Sequence, residues 1–138
     1  VNNNPTIDFY KLAVDVLKKW DDKSIRMLVA QARHETGNFT SDLYIKHNNA
    51  FGMMFPKIRN TTAQSETESG YSHYETVADS ILDMENYFAY KEYPILSSFQ
   101  TLHAYARALK DHAYFTAPVQ AYGNALTKHF NQLKNILQ

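Results

Sequence analysis

Ala30-Gln31-Ala32-Arg33-His34-Glu35-Thr36-Gly37-Asn38, followed shortly by Asn48-Asn49-Ala50-Phe51-Gly52-Met53, is the part of the chain from which the fold is read. Ser24 can cap a helix whose apolar stripe runs Ile25, Leu28, Val29 and Ala32, at helical spacing. One more step reaches Glu35, which is therefore expected on the buried face, and Gly37 suits the left-handed residue that ends helices. Burial among Leu28, Ala32 and aromatic side chains strips water from the carboxylate. The negative end of the helix macrodipole acts in the same direction. Glu35 is thus expected to hold its proton more tightly than a free glutamate, as a general acid must.

Working outward, Asn2-Asn3-Asn4-Pro5 is a polar lead-in, with Asn4 as helix cap and Pro5 as first helical residue. Phe9, Leu12, Ala13, Val16, Leu17 and Trp20 then mark one helical face, and Asp21-Asp22-Lys23 breaks it. From Asn38 to about Tyr74 the periodicity fades. Within this stretch, Thr61 to Gly70 is polar and reads as an exposed loop or short hairpin, in a place where rigid scaffolds tend to carry sites. Helical spacing returns at Val77, Ile81, Met84 and Phe88 behind a Thr76/Asp79 capping box, and Tyr93-Pro94 closes it. Ser97 or Ser98 is expected to open a helix bearing Leu102, Tyr105, Ala106 and Leu109. A last helix is expected from about Pro118, with Val119, Tyr122, Leu126, Phe130, Leu133 and Leu137. The expected architecture is mainly α, a single domain over residues 1–138 with five or so helices.

The 138 residues suffice for one core, and 14 basic residues balance 14 acidic ones. No long-range field for nucleic acid or an anionic membrane is implied, so a partner is recognised by shape and hydrogen bonding. Ten tyrosines and eight phenylalanines fit either a tyrosine-rich core or an aromatic-lined groove that stacks on sugar faces. Cysteine is absent, which removes disulfides and a thiol nucleophile. No segment has the apolar length of a membrane span, and no secretory signal is visible. Val1 at the start leaves room for a removed leader or a longer parent chain. The six histidines lack zinc-binding spacing, and His34 is expected on a polar side of its helix, away from Glu35. No Gly-x-Ser-x-Gly elbow or glycine-rich phosphate loop can be built, and no metal or organic cofactor is expected.

Residues 30–53 resemble the glucosaminidases of glycoside hydrolase family 73, in which a helix ending in Ala-Gln-x-x-x-Glu-[Ser/Thr]-Gly precedes Asn-Asn-x-Phe-Gly-[Ile/Met]. Tyr74-Glu75-Thr76-Val77-Ala78-Asp79-Ser80-Ile81 is similar to the family's tyrosine and following Ser-[Ile/Val] helix. Tyr105 through Thr116 resembles its closing Leu-Lys-x-x-Gly-Tyr-Ala-Thr segment. The pieces run in family order along nearly the whole chain. Departures are Asn38 in place of an aromatic, with Phe39 one place later, Ala113 for glycine, and Phe115 where alanine is common. The loop between Phe55 and Gly70 is also short.

The resemblance implies a lysozyme-like helical domain with a long loop or β-hairpin beside a groove that binds the glycan strands of peptidoglycan. Glu35 is then the general acid, and Tyr114 orients the acetamide or steadies developing positive charge. Asn48, Asn49, Phe51 and Gly52 form the groove floor, and Tyr74 and Phe39 complete the substrate-binding set. Among Glu66, Glu68, Glu75 and Asp42, Glu68 is the choice for a second carboxylate, although an N-acetyl sugar's own acetamido oxygen could replace it. The implied activity is endo-β-N-acetylglucosaminidase cleavage of the wall. A muramidase or lytic transglycosylase on the same fold, a non-catalytic peptidoglycan-binding module and a helical adaptor are the alternatives. A monomer acting at the bacterial cell wall is expected, whether secreted, periplasmic or phage-associated, as a lysin, an autolysin or an antimicrobial toxin.

Overall fold

Over residues 4–138, which the computed structural model describes, six α-helices accompany a small antiparallel hairpin. Asn2 and Asn3 of the lead-in lie outside the described residues. The order is α1 (Pro5–Val16), α2 (Asp22–Thr36), α3 (Asp42–His47), β1 (Ser65–Glu66), β2 (Ser72–His73) and α4 (Val77–Tyr90). A 3-10 turn (Leu96–Ser98), α5 (Leu102–Asp111) and α6 (Val119–Ile136) complete it. In the hairpin Ser65 faces His73 and Glu66 faces Ser72, and Met54 bridges Tyr71 alongside. This is the expected mainly α architecture with a hairpin.

α2 is the central element. Met27, Leu28, Val29, Ala30 and Ala32 are buried on successive sides of it, as in a helix covered all round. It packs against α1, α6 and the 3-10 turn, while α5 lies on α6 and α1 on α4. Each fully buried Leu or Val contributes about 1.5–3 kcal/mol relative to exposure, so α2 anchors the fold. Its cap is Asp21 rather than Ser24. The Asp21 carboxylate accepts from the Ser24 N–H at 3.2 Å and hydroxyl at 2.6 Å, and the Ser24 oxygen in turn accepts from the Ser97 N–H at 2.9 Å. Ser24 therefore joins two segments from inside the core.

Two other boundaries differ from the sequence expectation. Ser97 and Ser98 lie in the 3-10 turn, and Thr101 caps α5 through the Ala104 N–H at 3.0 Å. α3 falls inside the stretch expected to be irregular. Six residues are too few to show periodicity, and none of them is fully buried. Asn4, Gly37 and Thr76 stand at the helix ends where the sequence puts them.

Beyond α2 the chain reverses through three successive left-handed residues, Gly37, Asn38 and Phe39, with φ of 57°, 58° and 67°. That conformation is unfavourable for a bulky side chain and persists only where its surroundings enforce it. Thr36 does so here: its hydroxyl donates to the Ala32 carbonyl at 2.7 Å and accepts the Phe39 N–H at 2.8 Å. The Phe39 ring turns back between Phe9 and Tyr44, 5.1 and 5.2 Å away between centroids.

Candidate active site

Glu35 ends the buried stripe of α2, one residue before Thr36, and remains partly exposed. Its carboxyl lies between two elements distant in sequence. On one side the Tyr122 hydroxyl of α6 donates to Glu35 Oε1 at 2.9 Å. On the other stands Gly52, left-handed at φ 64°, where an added Cβ would lie 3.1 Å from Glu35 Oε2. Only a residue without a side chain lets the loop come so close to the acid.

Burial raises the Glu35 pKa above the ordinary carboxylate value, and the Tyr122 hydrogen bond, which favours the charged form, pulls back part of that rise. The side chains whose own titration feels the Glu35 charge are Tyr105, Tyr114 and Tyr122. All three phenols are raised, first by burial, and so stay protonated donors at neutral pH. Three neutral phenols thus lie near the acid.

The loop holding Gly52 is built by its two asparagines. Asn48 is left-handed at the end of α3, and its amide donates to the carbonyls of Tyr74 and Glu75 at 3.0 and 3.1 Å. Asn49 is buried. It donates to the Met53 and Ser72 carbonyls and accepts from the N–H groups of Phe51 and Met53. Ser80 of α4 takes the Ala50 N–H at 3.0 Å. Every bond fixes backbone, so α3, the hairpin and α4 together hold Gly52 against the acid.

Phe51 is fully buried beneath this loop, 6.0 Å from Phe9, and its carbonyl accepts from the Tyr114 hydroxyl. Glu35, Gly52, Phe51 and Tyr114 are accordingly brought together. Tyr74 and Phe39 lie in the core instead. The Tyr74 hydroxyl donates to Asp83 at 2.5 Å, and Phe39 is 6% exposed. Glu68 is exposed at the hairpin end, on a concavity shared with Asp42, His47 and Tyr71 that does not include Glu35. Glu75 accepts from Gln64 at the surface, and the Glu66 carboxylate lies beside Gly70.

Two participants escape a reading of the sequence. Tyr122 falls on the apolar stripe of α6 and looks like core there; the signal for it is that a buried phenol needs a hydrogen-bond partner. His34, expected on a polar side away from the acid, is half-buried and meets the Tyr122 ring edge-on at 5.0 Å, with its pKa lowered by burial. Phe115 stacks on the Tyr122 ring at 3.9 Å and 10°. Lys110 lies 5.1 Å from the Phe115 ring centroid and donates to the carbonyls of Thr116 and Ala117 at 2.7 Å each. Tyr122 thus packs against both rings with its hydroxyl on Glu35. Among the described residues no group of three or more His, Asp or Glu side chains could hold a metal ion.

The family model described as Glucosaminidase, mannosyl-glycoprotein endo-beta-N-acetylglucosaminidase, matches residues 10–135. No curated protein matches the chain. Among solved structures the chain is similar to one from a type VI secretion system effector-immunity complex from Pseudomonas protegens. The TM-score is 0.69 and the identity 16%, with 96% of each chain covered. At that identity the likeness is one of fold.

Proposed function

Since the chain belongs to the glucosaminidase family of glycoside hydrolases, we propose that it cleaves the β-1,4 glycan backbone of peptidoglycan as an endo-β-N-acetylglucosaminidase, with Glu35 as proton donor. The observation that carries this reading is the asymmetric setting of the Glu35 carboxyl. Oε1 is occupied by the Tyr122 hydroxyl, which leaves Oε2, on the Gly52 side, to hold the proton. Burial keeps that proton on at higher pH than in a free glutamate. As the bond between the anomeric carbon and the bridging oxygen breaks, Oε2 delivers the proton to that oxygen and the carboxylate forms. The Tyr122 bond then strengthens, because it is made to a charge.

The positive charge developing at the anomeric carbon needs an electron pair. Because Glu68 lies on a concavity that does not include Glu35, the sugar's own acetamido oxygen is the favoured source, and Tyr114 orients the acetamide. Glu35 as a carboxylate then takes a proton from the attacking water. The alternative nucleophile or base is Glu68, which would have to reach the acid from the hairpin. Asn48, Asn49 and Phe51 act through the loop backbone, with Tyr74 and Phe39 behind the site, in this reading. We assign the action to the bacterial wall, in the periplasm or outside the cell. The likeness in fold to a chain of an effector-immunity complex supports a toxin that has a protein inhibitor.

The test is digestion of purified peptidoglycan with product analysis by mass spectrometry. New reducing ends on N-acetylglucosamine are expected, and Glu35→Gln is expected to lower the rate by about 10²–10⁴-fold while wall binding persists. Reducing N-acetylmuramic ends or anhydro-muramic products would move the activity to the muramidase or lytic transglycosylase alternative, which shares the lone acid. Undiminished lysis by Glu35→Gln would remove Glu35 from the chemistry. Glu68→Gln is expected to leave the rate unchanged; a loss comparable to that of Glu35→Gln would make Glu68 the second carboxylate.

A further inference from the structure

Beside the loop that reaches Glu35 lies a cleft of about 250 Å³ between residues 53–59 and the C-terminal end of α4. We propose that this cleft is a subsite for the carboxylate-bearing peptide stems of the strand being cut; the proposal rests on the peptidoglycan reading above. It adjoins the reacting centre through two contacts. Met53 lines the cleft and follows Gly52, and Tyr87, also lining it, packs on Tyr114 at 5.7 Å.

The charge of the cleft sets it apart. The whole chain is neutral, yet three cations and no acidic side chain line this surface. Arg59 is spent on Asp83, at 2.7 and 3.2 Å. Lys57 and Lys91 make no ion pair among the described residues. The same cleft is lined by Met54, Ile58 and Tyr90, at 54%, 85% and 50% exposure, three of the six large hydrophobic side chains exposed among the described residues. Such a gathering on a balanced surface marks an interaction site.

Neutral sugar rings require neither ammonium groups nor exposed aliphatic chains. A peptide stem offers free carboxylates for Lys57 and Lys91, and alanine methyl groups for Met54 and Ile58. It also hangs from the same strand, so docking it here seats a neighbouring sugar at Glu35 without a separate binding event.

The experiment compares intact peptidoglycan fragments with the same glycan strands freed of peptide by an amidase, the lactyl carboxylates so exposed being capped as methylamides. The wild type and the Lys57→Gln/Lys91→Gln double variant are assayed on both, with Ile58→Ser as an independent change. Ile58 and Lys57 are exposed, so their replacement leaves the core untouched. In the double variant kcat/KM on stem-bearing strands is expected to fall by about five- to tenfold, mainly through KM, as two solvent-facing ion pairs are lost. Peptide-free strands should be cut as before. Ile58→Ser should show a smaller loss with the same selectivity. Unchanged cleavage of both substrates would overturn the subsite, and so would an equal loss on both, which would point to sugar stacking instead. Failure of the wild type to cut either substrate would defeat the peptidoglycan reading itself, a result distinct from loss of stem selectivity.

Discussion

The Glu35–Tyr122 contact joins the proposed proton donor to a group that limits how tightly it holds its proton. Burial favours the neutral acid, and the phenol favours the carboxylate. In the proposed role Glu35 donates only while protonated, so activity is expected to be lost as pH rises through its raised pKa. Tyr122→Phe removes the opposing bond and leaves the burial. The Glu35 pKa is then expected to rise further, and the alkaline limb of the kcat/KM profile to move to higher pH. At the optimum the rate should drop by about tenfold, since the nascent carboxylate loses a charge-assisted bond of roughly 1.5–3 kcal/mol, part of which water replaces. A pH–rate profile of wild type and variant measures both. A loss with no movement of the limb would make Tyr122 a packing residue only.

At the scale of elements, the Gly52 loop depends on how α4 grips the segment between Met53 and the hairpin. Asp83 of α4 is fully buried and binds the Arg59 guanidinium, whose side chain is only 7% exposed, together with the Tyr74 hydroxyl. Burial pushes the Asp83 carboxyl upward, but hydrogen bonds from Arg59, Tyr74 and Thr61, with the Arg59 charge, outweigh it and leave the pKa below the usual value. A depressed carboxyl contributes stability that is present above its unfolded pKa and is lost as pH falls through the folded one. Asp83→Asn strands a buried guanidinium and is expected to cost about 3–5 kcal/mol at neutral pH. Thermal unfolding should show the deficit shrinking in acid, where the wild-type carboxyl also becomes protonated. A deficit constant with pH would mean that the ion pair contributes little.

For the whole molecule, the site and the fold make opposite demands on one side chain. Glu35 has a raised folded pKa, so its contribution to stability is full below the unfolded value and disappears as pH climbs through the folded one. Above its folded pKa the wild type therefore carries a carboxylate that its surroundings disfavour. Glu35→Gln keeps the shape and can still accept from Tyr122. It is expected to be more stable than wild type where Glu35 would be ionised, with the advantage vanishing in acid. Melting temperatures across that range decide it; a variant less stable at neutral pH would show that the carboxylate is well accommodated. The inactive protein is thus expected to be the sturdier one, as for a site held in a state that function requires and folding does not.

The helices, most of their ends and the place of Glu35 were legible in the sequence, because they follow from local rules. Apolar side chains recur at helical spacing, Gly37 takes a left-handed turn, and Asn4 and Thr76 satisfy free N–H groups. Local rules also explain what was missed. Ser24 reads as a cap, but Asp21 takes that role once Ser24 is engaged by Ser97, far along the chain. Tyr122 and Glu35 lie on different helices, and nothing in the spacing of either announces a hydrogen bond between them. Gly52, Asn49 and Ser80 read as a turn and a helix residue, yet together they set how closely one backbone approaches one carboxyl. The order of residues determined which segments coil and which side chain carries the acid. Only the packing of α6 and the Gly52 loop around α2 decided how that acid holds its proton, because desolvation and hydrogen bonding depend on neighbours brought together in space rather than along the chain.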